Sequence, residues 1–224
     1  MSVRPKIIFH LAGHDFHPVY EQAAAVTAWL GPAYWCHTAE SLAALEHVDE
    51  CDLVVFLGMY YRGWEGRYRP PGLIHRRKFE RYVASGRPLI LGHGAAACYD
   101  DWPRFRELTG FSWPAGRAAF ALLGDYHVRV ASEPHPVIDG VDDHVLVDAP
   151  PVGVRVAPDL SPRVHAHAEA PERSVPLVVT AEGGRVEGAG RTALLGQGHD
   201  MRGFLHPMTR RVWLNTVRWC LNGS

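Results

Sequence analysis

Apolar residues fall in short runs that alternate with amphipathic stretches along the first half of the 224-residue chain. The run over residues 6–12 predicts a strand. Residues 18–30 predict a helix, with Pro18 suited to a first turn and Ala23, Ala24 and Ala25 in its middle. A short strand over 33–37 and a helix over 39–48 follow, the latter with Leu42, Leu45 and Val48 at helical spacing. Residues 52–57 are apolar on both faces, as a central parallel strand requires. After a loop over 58–73, residues 75–85 predict a helix closed by Gly86, and residues 88–92 the next strand. The pattern then changes. Short strands are expected over 126–131, 144–148, 152–156, 164–168 and 175–180, forming an antiparallel extension or a curled edge. Residues 183–190 read as a hairpin-like turn, 191–196 as a core strand, and 207–221 as a closing amphipathic helix with Val212, Trp213, Val217 and Leu221 on one face. Alternating β and α predicts a single α/β domain over 1–224: a parallel sheet with helices on both faces.

Composition narrows this picture. With 47% hydrophobic residues the chain can bury a full core. The formal net charge is −1, with both signs mixed along the chain. No basic stripe marks a nucleic-acid partner. No long apolar run marks a membrane span and no leader pattern is seen, so the expected location is cytoplasmic. Cys36, Cys51, Cys98 and Cys220 are scattered without a Cys-x-x-Cys pair, and read as buried, reduced thiols.

The candidate chemistry is histidine. Leu91-Gly92-His93-Gly94-Ala95 directly follows one apolar run, and Gly196-Gln197-Gly198-His199-Asp200 directly follows another. A third segment, Gly13-His14-Asp15-Phe16-His17, follows the first strand. Ligands of open parallel sheets bind at the carboxyl ends of the strands, where all three segments fall. His93 and His199 can exchange protons near neutral pH, with Asp200 orienting His199. Alternatively, some of His14, His17, His93 and His199 bind a divalent metal such as zinc, nickel, manganese or iron, with His14, His93 and His199 the leading set. Blander readings stand beside these. His14 and Asp15 would cap the helix from 18 onward. His17 precedes Pro18 and reads as structural, and His135 and His206 read as turn residues before proline. Asp101-Trp102-Pro103 reads as a helix start that packs Trp102, or else as a ligand contact. The aromatic and arginine-rich loop 58–73, with Tyr60 and Arg62, suits either a sugar or carboxylate ligand or a protein interface.

Five segments in order then resemble the ThuA-like (trehalose utilisation) family of the class I glutamine amidotransferase-like superfamily. They are Gly13-His14-Asp15; Asp52 to Gly58; Ser85 through Ala96 with Asp101-Trp102-Pro103; His135-Pro136-Val137-Ile138-Asp139-Gly140; and Gly190 through Asp200, continuing into Arg211-Val212-Trp213. The resemblance implies a flavodoxin-like sheet with a tight turn after one strand. His93 stands where the amidotransferases carry their cysteine, and His199 where they carry the triad histidine. An acyl intermediate needs a thiolate, which His93 cannot replace. Cys98, five residues on, is expected inside the following helix and pointing away, so glutaminase and protease activity are rejected.

The resemblance implies carbohydrate metabolism and a keto-sugar isomerase or related sugar-modifying enzyme. His93, His199 and Asp200 would be catalytic, and His14, Asp15, Tyr60, Arg62, Asp101 and Trp102 would meet a small sugar or sugar derivative. A homo-oligomer is compatible with the expected strand edge. The other reading is a non-catalytic ligand-binding or assembly subunit on the same scaffold. Three departures from the family pattern bear on the substrate. Gly94 stands where serine is common after the elbow histidine. An acidic-and-tyrosine segment is reduced to Asp148-Ala149-Pro150-Pro151. The aromatic loop 58–73 is particular to this subgroup.

Overall fold

The computed structural model describes residues 4–114, 119–170 and 173–222. Its first half alternates as the pattern requires: β1 (Lys6–Leu11), α1 (Val19–Leu30), β2 (Trp35–Glu40), α2 (Leu42–Glu46), β3 (Leu53–Leu57), α3 (Leu73–Ala84), β4 (Leu89–Gly92) and α4 (Pro103–Thr109). Then come β5 (Phe111–Ser112), β6 (Ala119–Phe120), β7 (Gly124–Val130), β8 (His144–Asp148), β9 (Pro151–Val152), β10 (Arg155–Val156), β11 (Arg163–Ala170), β12 (Arg173–Ala181) and β13 (Thr192–Leu195). Helices α5 (Met201–Phe204) and α6 (Pro207–Leu221) complete the described chain.

Nine strands form one sheet in the order β2-β1-β3-β4-β13-β12-β11-β7-β8. The pairs from β2 to β13 are parallel and those from β13 to β8 antiparallel. Successive residues of β1 and β3 point to opposite, equally apolar layers. Ile7, Phe9, Leu53 and Val55 pack with Val19 and Val26 of α1 and Val212, Trp213 and Val217 of α6. Ile8, Val54 and Phe56 pack with Phe79 and Tyr82 of α3 and Phe105 of α4. Helices therefore cover both faces, which is why these strands carry no polar alternation.

Two boundaries depart from the sequence pattern. The helix expected over 39–48 is confined to α2, because β2 runs on to Glu40 in register with Leu11 of β1. An edge strand with polar outward positions has little apolar periodicity to announce it. The single strand expected over 152–156 is two. Gly153, with φ of 86°, breaks it, and β9 pairs with β6 while β10 pairs with β5.

The antiparallel half rolls up. Strand β11 carries register shifts around Ala166, and such bulges increase local twist. The roll brings Asp148, at the end of edge strand β8, against the turn that follows β13, four strands away in the sheet.

The carboxyl ends of β1 and β3 meet closely at Gly58. Its φ is +74°, and a Cβ there would sit 2.0 Å from the Ala12 carbonyl oxygen. Gly58→Ala is therefore expected to cost more than about 2 kcal/mol, from strain and backbone overlap together. Denaturant unfolding of the variant measures this, and a change within about 0.5 kcal/mol would contradict it.

Candidate functional site

Three loops at the carboxyl ends of β1, β4 and β13 each contribute one imidazole to a single point. After β1 the chain turns over Gly13, whose carbonyl oxygen accepts the N–H of Phe16 and of His17, and so presents His17. After β4 it turns at His93, which adopts φ of +45°, a left-handed conformation uncommon for a residue with a side chain. After β13 the segment Gly196-Gln197-Gly198 turns with φ of +121° at Gly198 and delivers His199. The ring centroids lie 4.8 Å apart for His17 and His93, 5.1 Å for His17 and His199, and 5.3 Å for His93 and His199. One nitrogen from each ring lies within 4.8 Å of the other two. His17 and His93 are buried and His199 half-buried.

The departure at Gly94 has a steric reason. A Cβ at this position would lie 2.6 Å from the Met59 side chain and 3.5 Å from the His17 ring. The missing side chain thus lets the loop after β3 and the loop after β1 close over the turn at His93.

The ring of His93 is held in one tautomer. Its Nδ1 lies 2.8 Å from the Gly196 carbonyl oxygen, which can only accept, so Nδ1 carries the hydrogen and Nε2 keeps its lone pair. Burial lowers His93 to about 4, opposed by the charge of Asp148 and the bond to Gly196. Burial also lowers His17 to about 2, assisted by His93 and His199. Both imidazoles are therefore neutral at physiological pH, and both are weak bases.

The carboxylate that organises the site is Asp148, which is fully buried. It accepts the backbone N–H groups of Gly198 (2.7 Å), His199 (2.9 Å), Asp200 (3.2 Å) and Ala149 (2.9 Å). The turn bearing His199 hangs from this one side chain. The Gln22 amide of α1 adds a bond to the Gly198 carbonyl oxygen. Asp200, expected to orient His199, instead caps α5. It accepts the Arg202 backbone N–H at 2.8 Å and pairs with the Arg202 guanidinium at 2.9 Å. A side chain one residue beyond His199 is better aimed at the following helix than back at the ring.

The other expected site residues lie apart from the three imidazoles. His14 is not the third ring: its Nε2 lies 3.3 Å from Arg67 Nη1, and its ring packs on Tyr20 and Trp64. Asp15 accepts the Trp64 indole N–H at 2.8 Å and lies 3.4 Å from Arg67 Nε. That indole bond, foremost, holds its carboxyl below the usual range. Tyr60 is buried among His10, Trp64, Tyr68 and Tyr99, its hydroxyl accepting the Arg69 N–H. Arg62 is tied to the carboxylate of Asp100. Asp101 accepts from the Tyr68 hydroxyl. Trp102 packs on Phe79, Tyr99 and Phe105 with Arg76 over its ring, so it opens α4 as a core residue. Cys98 is not in a helix. It ends the short 3-10 turn His93–Ala97, and its thiol lies 3.5 Å from the Gly58 carbonyl oxygen and 3.2 Å from the Tyr60 N–H. Burial pushes that thiol up to about 12, so it is no nucleophile.

Sequence reasoning ranks one residue of the site too low and misses another. His17 is among the four candidate metal ligands but stands behind His14 because proline follows it, although it too lies just beyond a parallel strand. Asp148 closes the otherwise apolar run Val145-Leu146-Val147 and precedes Ala149-Pro150-Pro151; a lone acid in that setting was the available signal. A groove of about 1070 Å³, lined by Glu133, His135, Arg163, Arg191 and Trp219, lies at the other end of the sheet, beside the start of β13. With Asp139, Glu182 and Arg218 also in the lining, its three acids balance its three arginines, and among the described residues it gathers no comparable ligand set. Among the described residues no helix is long and apolar enough to cross a membrane.

Comparison with known proteins gives the family and the fold. The family model described as trehalose utilisation, ThuA, matches residues 12–220. A ThuA-like protein from Parabacteroides merdae superposes with a TM-score of 0.77 at 15% identity, covering 98% of this chain and 90% of that one. Another, from Bacteroides uniformis, gives 0.69 at 18% identity, covering 99% and 93%. A glutamine amidotransferase from Thermotoga maritima gives 0.53 at 13% identity, covering 99% and 85%. At these identities the structures share the fold. No curated protein matches the chain.

Proposed function

The chain belongs to the ThuA (trehalose utilisation) family, and from that premise we propose that it is a sugar-modifying enzyme of the keto-sugar isomerase type, working at the centre formed by His17, His93 and His199. The observation that carries this reading is the convergence of three imidazoles, from loops far apart in sequence, at the carboxyl ends of parallel strands. A non-catalytic assembly subunit has no use for such a convergence.

Isomerisation of a keto-sugar passes a proton from the carbon beside the ketone to solvent, returns one to the carbon that carried the oxygen, and in between places negative charge on the ketone oxygen. Stabilising that charge is where a fixed polar site contributes most. Neutral, buried His17 and His93 are too weakly basic to take the proton, so the burial that lowers them argues against His93 and His199 as a simple acid–base pair. It favours action at the ketone oxygen. Asp148 takes the orienting role first given to Asp200. Phe16, 43% exposed beside His17 and 6.3 Å from Tyr61, offers an aromatic face of the kind that packs on a sugar ring.

Proton NMR in deuterium oxide tests the proposal with a panel of 3-keto-glucosides and 3-keto-disaccharides. The protein is expected to exchange the hydrogen beside the ketone, and His93→Ala to slow that exchange by about 10²–10³-fold. Absence of exchange across the whole panel, or an unimpaired His93→Ala variant, would overturn it.

A further inference from the structure

We infer that His17, His93 and His199 together bind one divalent transition-metal ion of the zinc class, with an open coordination position on the side of His199. The inference deepens the reading of the same centre, and metal binding is measurable without any sugar.

Four observations converge. First, the three donor nitrogens lie within 4.8 Å of one another. A tetrahedral ion with bonds of about 2.0–2.1 Å needs about 3.4 Å between its ligand nitrogens, so the rings have only about 1.4 Å at most to close. Second, the bond from His93 Nδ1 to the Gly196 carbonyl fixes the tautomer that leaves Nε2 to coordinate. Metal-binding histidines almost always have such an outer partner. Third, Asp148 seats His199 from behind through the backbone. Its negative charge, felt at His93, offsets part of the charge an ion would bring. Fourth, two rings are buried and the third is half-buried. That is the arrangement of three protein ligands with one approach left for water or substrate.

The donor set also selects the ion. Three imidazoles and no carboxylate suit zinc, nickel, iron or cobalt, whereas magnesium, calcium and manganese prefer oxygen. Among the described residues no other histidine group competes: His135 stacks on His165 and His144 on His206, each without a third ligand there. His14 has the Arg67 guanidinium beside it, which would repel a second cation. Bound there, the ion would act as a Lewis acid on the ketone oxygen.

The test is zinc titration of the chelator-treated full chain, followed by elemental analysis. Cobalt(II) absorption then reports the coordination geometry. About one ion per chain with a tetrahedral cobalt spectrum is expected. His17→Ala, His93→Ala and His199→Ala should each weaken binding by about 100-fold or more, and His14→Ala should leave it unchanged. Glutamine variants at the same three positions stand in for any alanine variant whose circular dichroism shows it unfolded. No uptake of zinc, cobalt or nickel by the folded parent would overturn the inference, as would equal loss in His14→Ala. Turnover of a keto-sugar by a folded protein that takes up no zinc, cobalt or nickel would overturn the metal inference alone. A bound ion without any turnover would overturn the sugar reading alone.

Discussion

Asp148→Ala is expected to cost about 3–5 kcal/mol of folding stability, a loss on the scale of removing one partner from a buried charged network. The carboxylate accepts four backbone N–H groups, and those of Gly198 and Ala149 are themselves buried. Alanine supplies no acceptor, and each buried donor left unsatisfied costs about 1–3 kcal/mol. Water entering the vacated space recovers only part of this. Asparagine keeps the volume and one oxygen but turns an amide toward donors, so Asp148→Asn should fall between parent and alanine. Urea unfolding of the three proteins measures the series. A loss below about 1 kcal/mol for alanine would mean that the turn is held by something else. Because the affected donors carry His199, both variants should also lose metal affinity more than a distant core substitution of equal stability cost.

Acid should unfold the protein earlier than its carboxylates alone would require. Burial lowers His10 to about 3, His17 to about 2 and His93 to about 4, against about 6.5 for the same groups in the unfolded chain. Above pH 6.5 these rings are neutral in both states, and the full stability is present. Below it the unfolded chain takes up protons that the folded protein refuses, so stability falls with falling pH until each folded value is passed. Each group adds a slope of up to about 1.4 kcal/mol per pH unit in its window. Thermal midpoints at pH 8, 7, 6 and 5 should be level between the first two and then drop steeply. A level profile from pH 7 to pH 5 would contradict the burial of these imidazoles. Saturating zinc should raise the midpoints at pH 7 and 8 and make the drop below pH 6.5 steeper, because the ion stabilises the folded state and keeps protons off the same lone pairs while the unfolded chain still takes them up.

The parallel half of the fold was plain in the sequence because its strands are buried on both faces. Leu53 to Leu57 has no polar residue to confuse with a helix or a loop. The edge strand β2 was harder, since its exposed positions mimic neither period. The break at Gly153 was invisible, because pairing partners decide it rather than local preference. The same division runs through the site. His93 and His199 announced themselves as glycine-flanked turns after apolar runs. His14 and His17 share one loop, and only the direction of the turn over Gly13 decides which ring faces inward. Arg67, more than fifty residues away, claims the other. Asp148 acts through backbone N–H groups of a segment it meets only after the sheet has rolled, and no pattern in the chain states that meeting.

That roll has a kinetic consequence. The turn at His199 hangs from an edge strand 50 residues earlier, and the His93 ring hangs from a carbonyl 103 residues later. Contacts of such long range are slow to close and lie late in folding. The His93 bond can form with the β4–β13 pair, but the Asp148 bonds to the turn at His199 form only once β12, β11, β7 and β8 have paired, so the centre is completed after the parallel half. Chains stalled with the parallel half formed and the antiparallel half still open would be compact, would show much of the native helix signal, and would be inert.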